Sequence, residues 1–140
     1  MKVIFLDVDG VLNYATPKKL KGWVAWPRPD CLQYLKQIVV ITGAKIVVHS
    51  HWRLSPTSFD LLTGALNRVG LEIFDVTPEI DQNKIVEIKT YLAGHTNITN
   101  FVILEDDDLG LDLKKHQIRT IPGIGLTKEH IEEAIKILNE

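Results

Sequence analysis

A single cysteine, Cys31, stands in a chain of 140 residues. Disulfides within the chain are thereby excluded, and a reducing, cytoplasmic setting is expected. Neither sign of charge is in excess: 16 Lys and Arg against 18 Asp and Glu give a formal net charge of -2. There is no global basic field and no strong nucleic-acid signature, which leaves only a local patch as a route to such a partner. No apolar run approaches membrane-spanning length, so no membrane partner is expected. No secretory leader is expected at Met1, because Asp7 and Asp9 break the apolar stretch that follows Lys2. Internal repeats, low-complexity tracts and linkers are missing too. What remains is the composition of an ordinary globular protein, 45% hydrophobic and 24% charged, at a length that fits one domain over 1–140.

The chain is organised around its first thirteen residues. Val3, Ile4, Phe5 and Leu6 form a short apolar run that stops at Asp7-Val8-Asp9-Gly10, the pattern of a strand buried on both faces. Residues 13–29 then lack periodicity and carry three lysines, Trp23, Trp26, Pro17, Pro27 and Pro29. They read as a flap over the top of the sheet. Asp30 is placed as the N-cap of a helix through Leu32, Leu35, Ile38 and Val39, which Gly43 ends. Strands are expected at 45–48, 71–76, 101–104 and 117–121. Helices are expected at 57–69, 83–93 and about 128–138, the last capped by Thr127. Alternating strands and helices with short links predict a three-layer α/β/α, Rossmann-like parallel sheet.

In such a sheet the carboxyl ends of the strands gather along one edge, where ligands bind. Three of those ends are polar here: Asp7 and Asp9, His49 to Arg53, and Glu105 to Asp108. Carboxylates at the end of a buried strand are costly unless a cation or hydrogen bonds meet them. Several carboxylates with no cysteine among them suit Mg²⁺ rather than Zn²⁺. Lys84, at a helix start, can reach the same edge. A metal, a nucleophilic carboxylate, a hydroxyl and a cation in one place are the parts of phosphoryl transfer.

These residues also resemble a known family. Asp7-Val8-Asp9-Gly10-Val11 matches the D-x-D-G-x-[VTL] signature of the haloacid dehalogenase (HAD) superfamily. Ser50, Lys84 and Glu105-Asp106 fall where its second, third and fourth motifs have a hydroxyl, a cation and paired acids. Thr42 to Arg53 looks like the capless HAD domains of RNA-repair (Swiss Army knife) proteins. The resemblance implies a HAD fold without a large cap and a Mg²⁺-dependent phosphatase. Asp7 would be the nucleophile that becomes an aspartyl phosphate, and Asp9 the general acid and base. Lys84 would stabilise charge, and Ser50 and the backbone near Gly10 would bind the phosphoryl oxygens. Asp7, the Asp9 carbonyl and an acid from Glu105 or Asp106 would hold the metal. An open site would admit a small phosphomonoester or a phosphorylated nucleic-acid end.

The chain departs from those relatives at His49 and His51, where they often have serine, and at Glu105, where they have aspartate. The longer Glu105 ranks Asp106 first as the metal ligand. A one-residue slip reverses side-chain direction on a strand, so either His49 or Ser50 faces the phosphate. His49 and His51, two apart, would share a strand face; lacking a third nitrogen or sulfur ligand, they suggest substrate contact rather than zinc. Arg53 either binds substrate phosphate or pairs with the acidic edge. Trp23 and Trp26 either stack a base or wall the site, or they pack in the core or the flap. Cys31 near a helix start is either somewhat acidic or a buried apolar residue. Two rivals remain: a catalytically weak HAD-fold binding or regulatory module, and a phosphoacceptor domain of the response-regulator kind. Asp9 argues against the latter, which has no use for a second acid two residues past the first.

Overall fold

The computed structural model describes residues 1–14 and 26–140. The elements run β1 (Lys2–Leu6), α1 (Pro29–Thr42), β2 (Lys45–Val48), α2 (Pro56–Arg68), β3 (Ile73–Val76), α3 (Lys84–Gly94), β4 (Asn100–Glu105), β5 (Gln117–Arg119) and α4 (Lys128–Leu138). The strands form one parallel sheet in the order β3-β2-β1-β4-β5. Apart from Lys2, β1 is buried throughout. That burial explains its unbroken apolar run: a central parallel strand has no solvent face on which to place a polar residue.

Alternation along the strands sorts the core into two layers. Ile4, Leu6, Ile46, Val48, Val102 and Leu104 pack with residues of α1, α2 and α4. Val3, Phe5, Val47 and Ile103 face the other way, onto Ile88 and Tyr91 of α3. Helices therefore cover both faces, and the described residues contain no cap domain. None of these helices is long and apolar enough to cross a membrane.

Helix boundaries follow local chemistry. Ser55 Oγ caps α2 and Asn83 Oδ1 caps α3, and Gly43, with φ +71°, closes α1 in the left-handed conformation. The start of α1 corrects the sequence reading. Arg28 occupies the N-cap position without a side-chain bond, and Asp30 lies inside the first turn. There Asp30 accepts from the Cys31 N–H and the Tyr14 hydroxyl, both at 2.9 Å. Pro29 makes a side-chain cap less necessary, because its missing N–H is one of the donors a cap would satisfy. The third and fifth strands are shorter than expected, since residues 71–72 and 120–121 form no regular ladder.

The expected flap over 13–29 falls mostly on residues 15–25, Trp23 included, which lie outside the described residues. At its two ends, the Arg28 N–H donates to the Leu12 carbonyl at 2.6 Å, and the Arg28 guanidinium sits 4.0 Å from the centre of the Tyr14 ring. Trp26 is exposed. Cys31 is buried, so the apolar reading holds, and burial together with the Asp30 charge pushes its thiol up to about 11. The thiolate is the reactive form, and at pH 8 it would be on the order of one part in a thousand. Iodoacetamide at pH 8 is therefore expected to label Cys31 only after denaturant is added. Prompt labelling of the folded protein, followed by mass spectrometry, would contradict this.

Candidate active site

The register of the sheet builds the site. Leu6 pairs with Val48 on one side and Leu104 on the other. One residue further along, the Asp7 N–H donates to Leu104 O at 3.1 Å and the His49 N–H to Leu6 O at 3.0 Å. Asp7, His49 and Glu105 are thus neighbours on three adjacent strands. By alternation they continue the face of Phe5, Val47 and Ile103, the face covered by α3. Lys84, the first residue of α3, consequently reaches them. Its Nζ lies 2.6 Å from Glu105 Oε1, 3.6 Å from Asp7 Oδ2 and 3.5 Å from Asp107 Oδ2. Of His49 and Ser50, it is His49 whose side chain joins this row.

Glu105 is fully committed. Its Oε1 meets Lys84 and His49 Nε2, the latter at 3.1 Å, and its Oε2 accepts the N–H groups of Asp106 and Asp107 at 2.8 and 3.0 Å. Burial opposes its charge, but the interactions with His49 and Asp106 outweigh burial and hold its carboxyl well below the usual range. Burial also disfavours the Lys84 charge; Asp7 and Glu105 overcome that and hold the ammonium above its usual pKa. Asp7, only 4% exposed, is pushed well up by burial and then by the charge on Glu105, with Lys84 pulling the other way. Burial lowers the pKa of His49 and keeps it neutral near pH 7. With Nε2 directed at Glu105, its buried Nδ1 has no partner in the described structure.

Asp106 comes to the same place by another route. Gly10 has φ +78°, and a Cβ built there would lie 2.5 Å from Asp106 Oδ2. Only a residue without a side chain lets that carboxylate settle over the first loop. Burial, then Glu105, pushes Asp106 up to about 7. Gly10→Ala is expected to force the Asp106 carboxylate aside and to add the strain of a left-handed alanine, about 1–2 kcal/mol. A thermal melt should show the strain, and a raised Mg²⁺ requirement in metal titration is the result expected if the displaced Asp106 carboxylate serves a metal. An unchanged metal titration would count against Asp106.

Several expected site residues have different duties. The Gly10 N–H, expected near the phosphate, donates to Asn13 Oδ1 at 3.0 Å, and the Gly10 carbonyl accepts from the Thr120 hydroxyl at 2.7 Å. The Arg53 side chain is 3% exposed, and its five N–H groups go to the carbonyls of His49, Ser50, Thr77 and Pro78 and to Glu87, at 2.8 to 3.0 Å. It ties the end of β2 to the loop before α3 and has no donor left for a phosphate. Its acidic partner is Glu87, not the Asp7 edge. His49 and His51 do not share a strand face: β2 ends at Val48, and His51 begins a 3-10 turn, His51–Leu54, in an exposed position. Ser50 Oγ caps that turn by accepting the Trp52 N–H at 3.1 Å.

Asp9 has two partners that the sequence did not suggest. Asn13 Nδ2 donates to its Oδ1 at 3.0 Å, and Trp52 Nε1 to its Oδ2 at 3.1 Å. Next to Lys84 an open cleft of about 730 Å³ is lined by His51, Gln82, Asp107 and Asp108 among others.

A parallel sheet in the order 3-2-1-4-5, with no cap among the described residues and with acids gathered at its strand ends, defines a HAD-like Rossmann domain. Residues 3–131 match the family described as the HAD domain in Swiss Army Knife RNA repair proteins, and the chain belongs to that family. Comparison with curated proteins and with solved structures gave no match.

Proposed function

We propose that the protein is a Mg²⁺-dependent phosphatase, a phosphoric monoester hydrolase that forms an aspartyl phosphate on Asp7. The observation that carries this reading is the convergence of Asp7, Lys84, Glu105 and Asp106 on one edge of the sheet. Asp9 stands two residues beyond Asp7 on the same loop.

The donor set fits a hard divalent cation. Three carboxylates, those of Asp7, Glu105 and Asp107, share one lysine, Asp106 lies close to Glu105 and Asp107, and Asp7 is buried with its charge disfavoured. Because both oxygens of Glu105 are already engaged, Asp106 is the better ligand, together with Asp7 and the Asp9 carbonyl. Bound there, Mg²⁺ would screen the phosphate dianion from the attacking carboxylate.

The chain's own residues supply the remaining steps. An Asp7 oxygen attacks phosphorus, the bond to the leaving oxygen breaks, and Asp9 gives that oxygen its proton. Water then attacks the phosphorus, Asp9 takes up the proton released by that water, and the Asp7–phosphorus bond breaks to free phosphate. Lys84 stabilises the phosphoryl oxygens. Ser50 Oγ accepts from Trp52, which leaves its own O–H to donate to a phosphoryl oxygen. Neutral His49 steadies Glu105, which in turn holds Lys84.

The open cleft beside Lys84 suits a substrate larger than its phosphate. The family's description points to a phosphorylated nucleic-acid end, and a small phosphomonoester fits as well. Asp107 and Asp108 on the cleft wall would repel a long run of backbone phosphates, which favours a terminal one. A cytoplasmic location agrees with the lone, unpaired cysteine. The test is release of phosphate from p-nitrophenyl phosphate with Mg²⁺ and with EDTA. A rate no higher than a protein-free blank under both conditions would sink the reading.

A further inference from the structure

The carboxylate of Asp9 is gripped from two sides. Asn13 Nδ2 holds Oδ1 and the Trp52 indole N–H holds Oδ2. Both donors are themselves fixed. Asn13 is buried and accepts the Gly10 N–H. Trp52 is 6% exposed and belongs to a turn that Ser50 caps and Arg53 braces. The indole comes from a residue 43 positions along the chain, and packing alone would not require its N–H to meet a carboxylate.

A carboxylate has about four lone-pair sites. With one taken on each oxygen, the proton that Asp9 delivers has few positions left, and all point away from the two donors. On the phosphatase reading above, we infer that Trp52 and Asn13 are positioning residues that aim this proton at the leaving oxygen as the phosphorus–oxygen bond breaks. The arrangement matters for esters whose leaving group is an alcohol, which departs poorly as an alkoxide. It matters little for a nitrophenyl ester, whose phenolate departs without a proton. The substrate class singled out is therefore an alkyl phosphate, such as a phosphorylated sugar hydroxyl.

The test compares kcat/KM for glycerol 2-phosphate and p-nitrophenyl phosphate, because this ratio reports the steps through phosphoryl transfer to Asp7. Trp52→Phe keeps an aromatic ring and loses the N–H. Its kcat/KM on the glycerol ester is expected to fall ~10- to 100-fold, and at least ~10-fold further than on the nitrophenyl ester. Asn13→Ala is expected to give the same ester-selective loss and carries the test if Trp52→Phe does not fold. Partial unfolding lowers both esters alike and cannot produce the selectivity. Equal losses on the two esters, or no loss on either, would overturn the inference and leave the phosphatase reading standing. A wild-type protein inert towards both esters would overturn the two together.

Discussion

Asp7→Asn is expected to lose Mg²⁺-dependent release of phosphate from p-nitrophenyl phosphate, by about three orders of magnitude or more. The substitution conserves shape and removes the carboxylate proposed as the nucleophile. The amide places no charge beside Lys84, which keeps Glu105 at 2.6 Å and Asp107 at 3.5 Å. Because burial and Glu105 both oppose ionisation of Asp7, the variant should fold at least as well as the parent. A loss of activity would then be chemical rather than structural. Asp9→Asn should nearly abolish turnover as well, since in the proposed mechanism the water that frees phosphate from Asp7 gives its proton to that carboxyl. If the parent and Asp7→Asn released phosphate at the same background rate, the binding or regulatory module would become the better account of the fold.

The second large effect is expected at Lys84. Lys84→Met removes the cation that faces Asp7, Glu105 and Asp107 while keeping most of the apolar stem. Breaking a buried ion pair from one side leaves an uncompensated charge, at a cost of about 3–5 kcal/mol. Two buried carboxylates on adjacent strands would then repel each other across the centre of the sheet. Melting should fall by many degrees in EDTA, and Mg²⁺ should recover part of the loss by supplying the missing charge. Turnover should stay low even with Mg²⁺, because the proposed mechanism uses this ammonium on the phosphoryl oxygens. A variant that melts like the parent in EDTA would show that Lys84 does not hold the acids together.

The strands were legible because a parallel sheet covered on both faces demands unbroken apolar runs, and β1, β2 and β4 have them. Their polar ends followed, since register carries Asp7, His49 and Glu105 to one level. The start of α1 was less legible: Asp30 has the chemistry of a cap, but the helix begins at Pro29, two residues earlier than that cap would place it. Arg53 was read as reaching either a substrate phosphate or the acidic edge. Nothing in a one-dimensional pattern shows that Thr77, Pro78 and Glu87 would surround it instead. The hold of Trp52 on Asp9 was invisible for a similar reason. The direction of an indole depends on how a 3-10 turn leaves β2, and that turn exists because Ser50 caps it.

The place of β1 has a temporal meaning. It lies between β2 and β4, and its Lys2 is matched with Asn100. During synthesis Asp7 is made about a hundred residues ahead of Glu105 and Asp106. At a synthesis rate of roughly 5–20 residues per second, the nascent chain would carry Asp7 for several seconds without Lys84, Glu105 or Asp106 beside it. The centre of the sheet, and with it any chemistry, closes only when β4 slides in along β1.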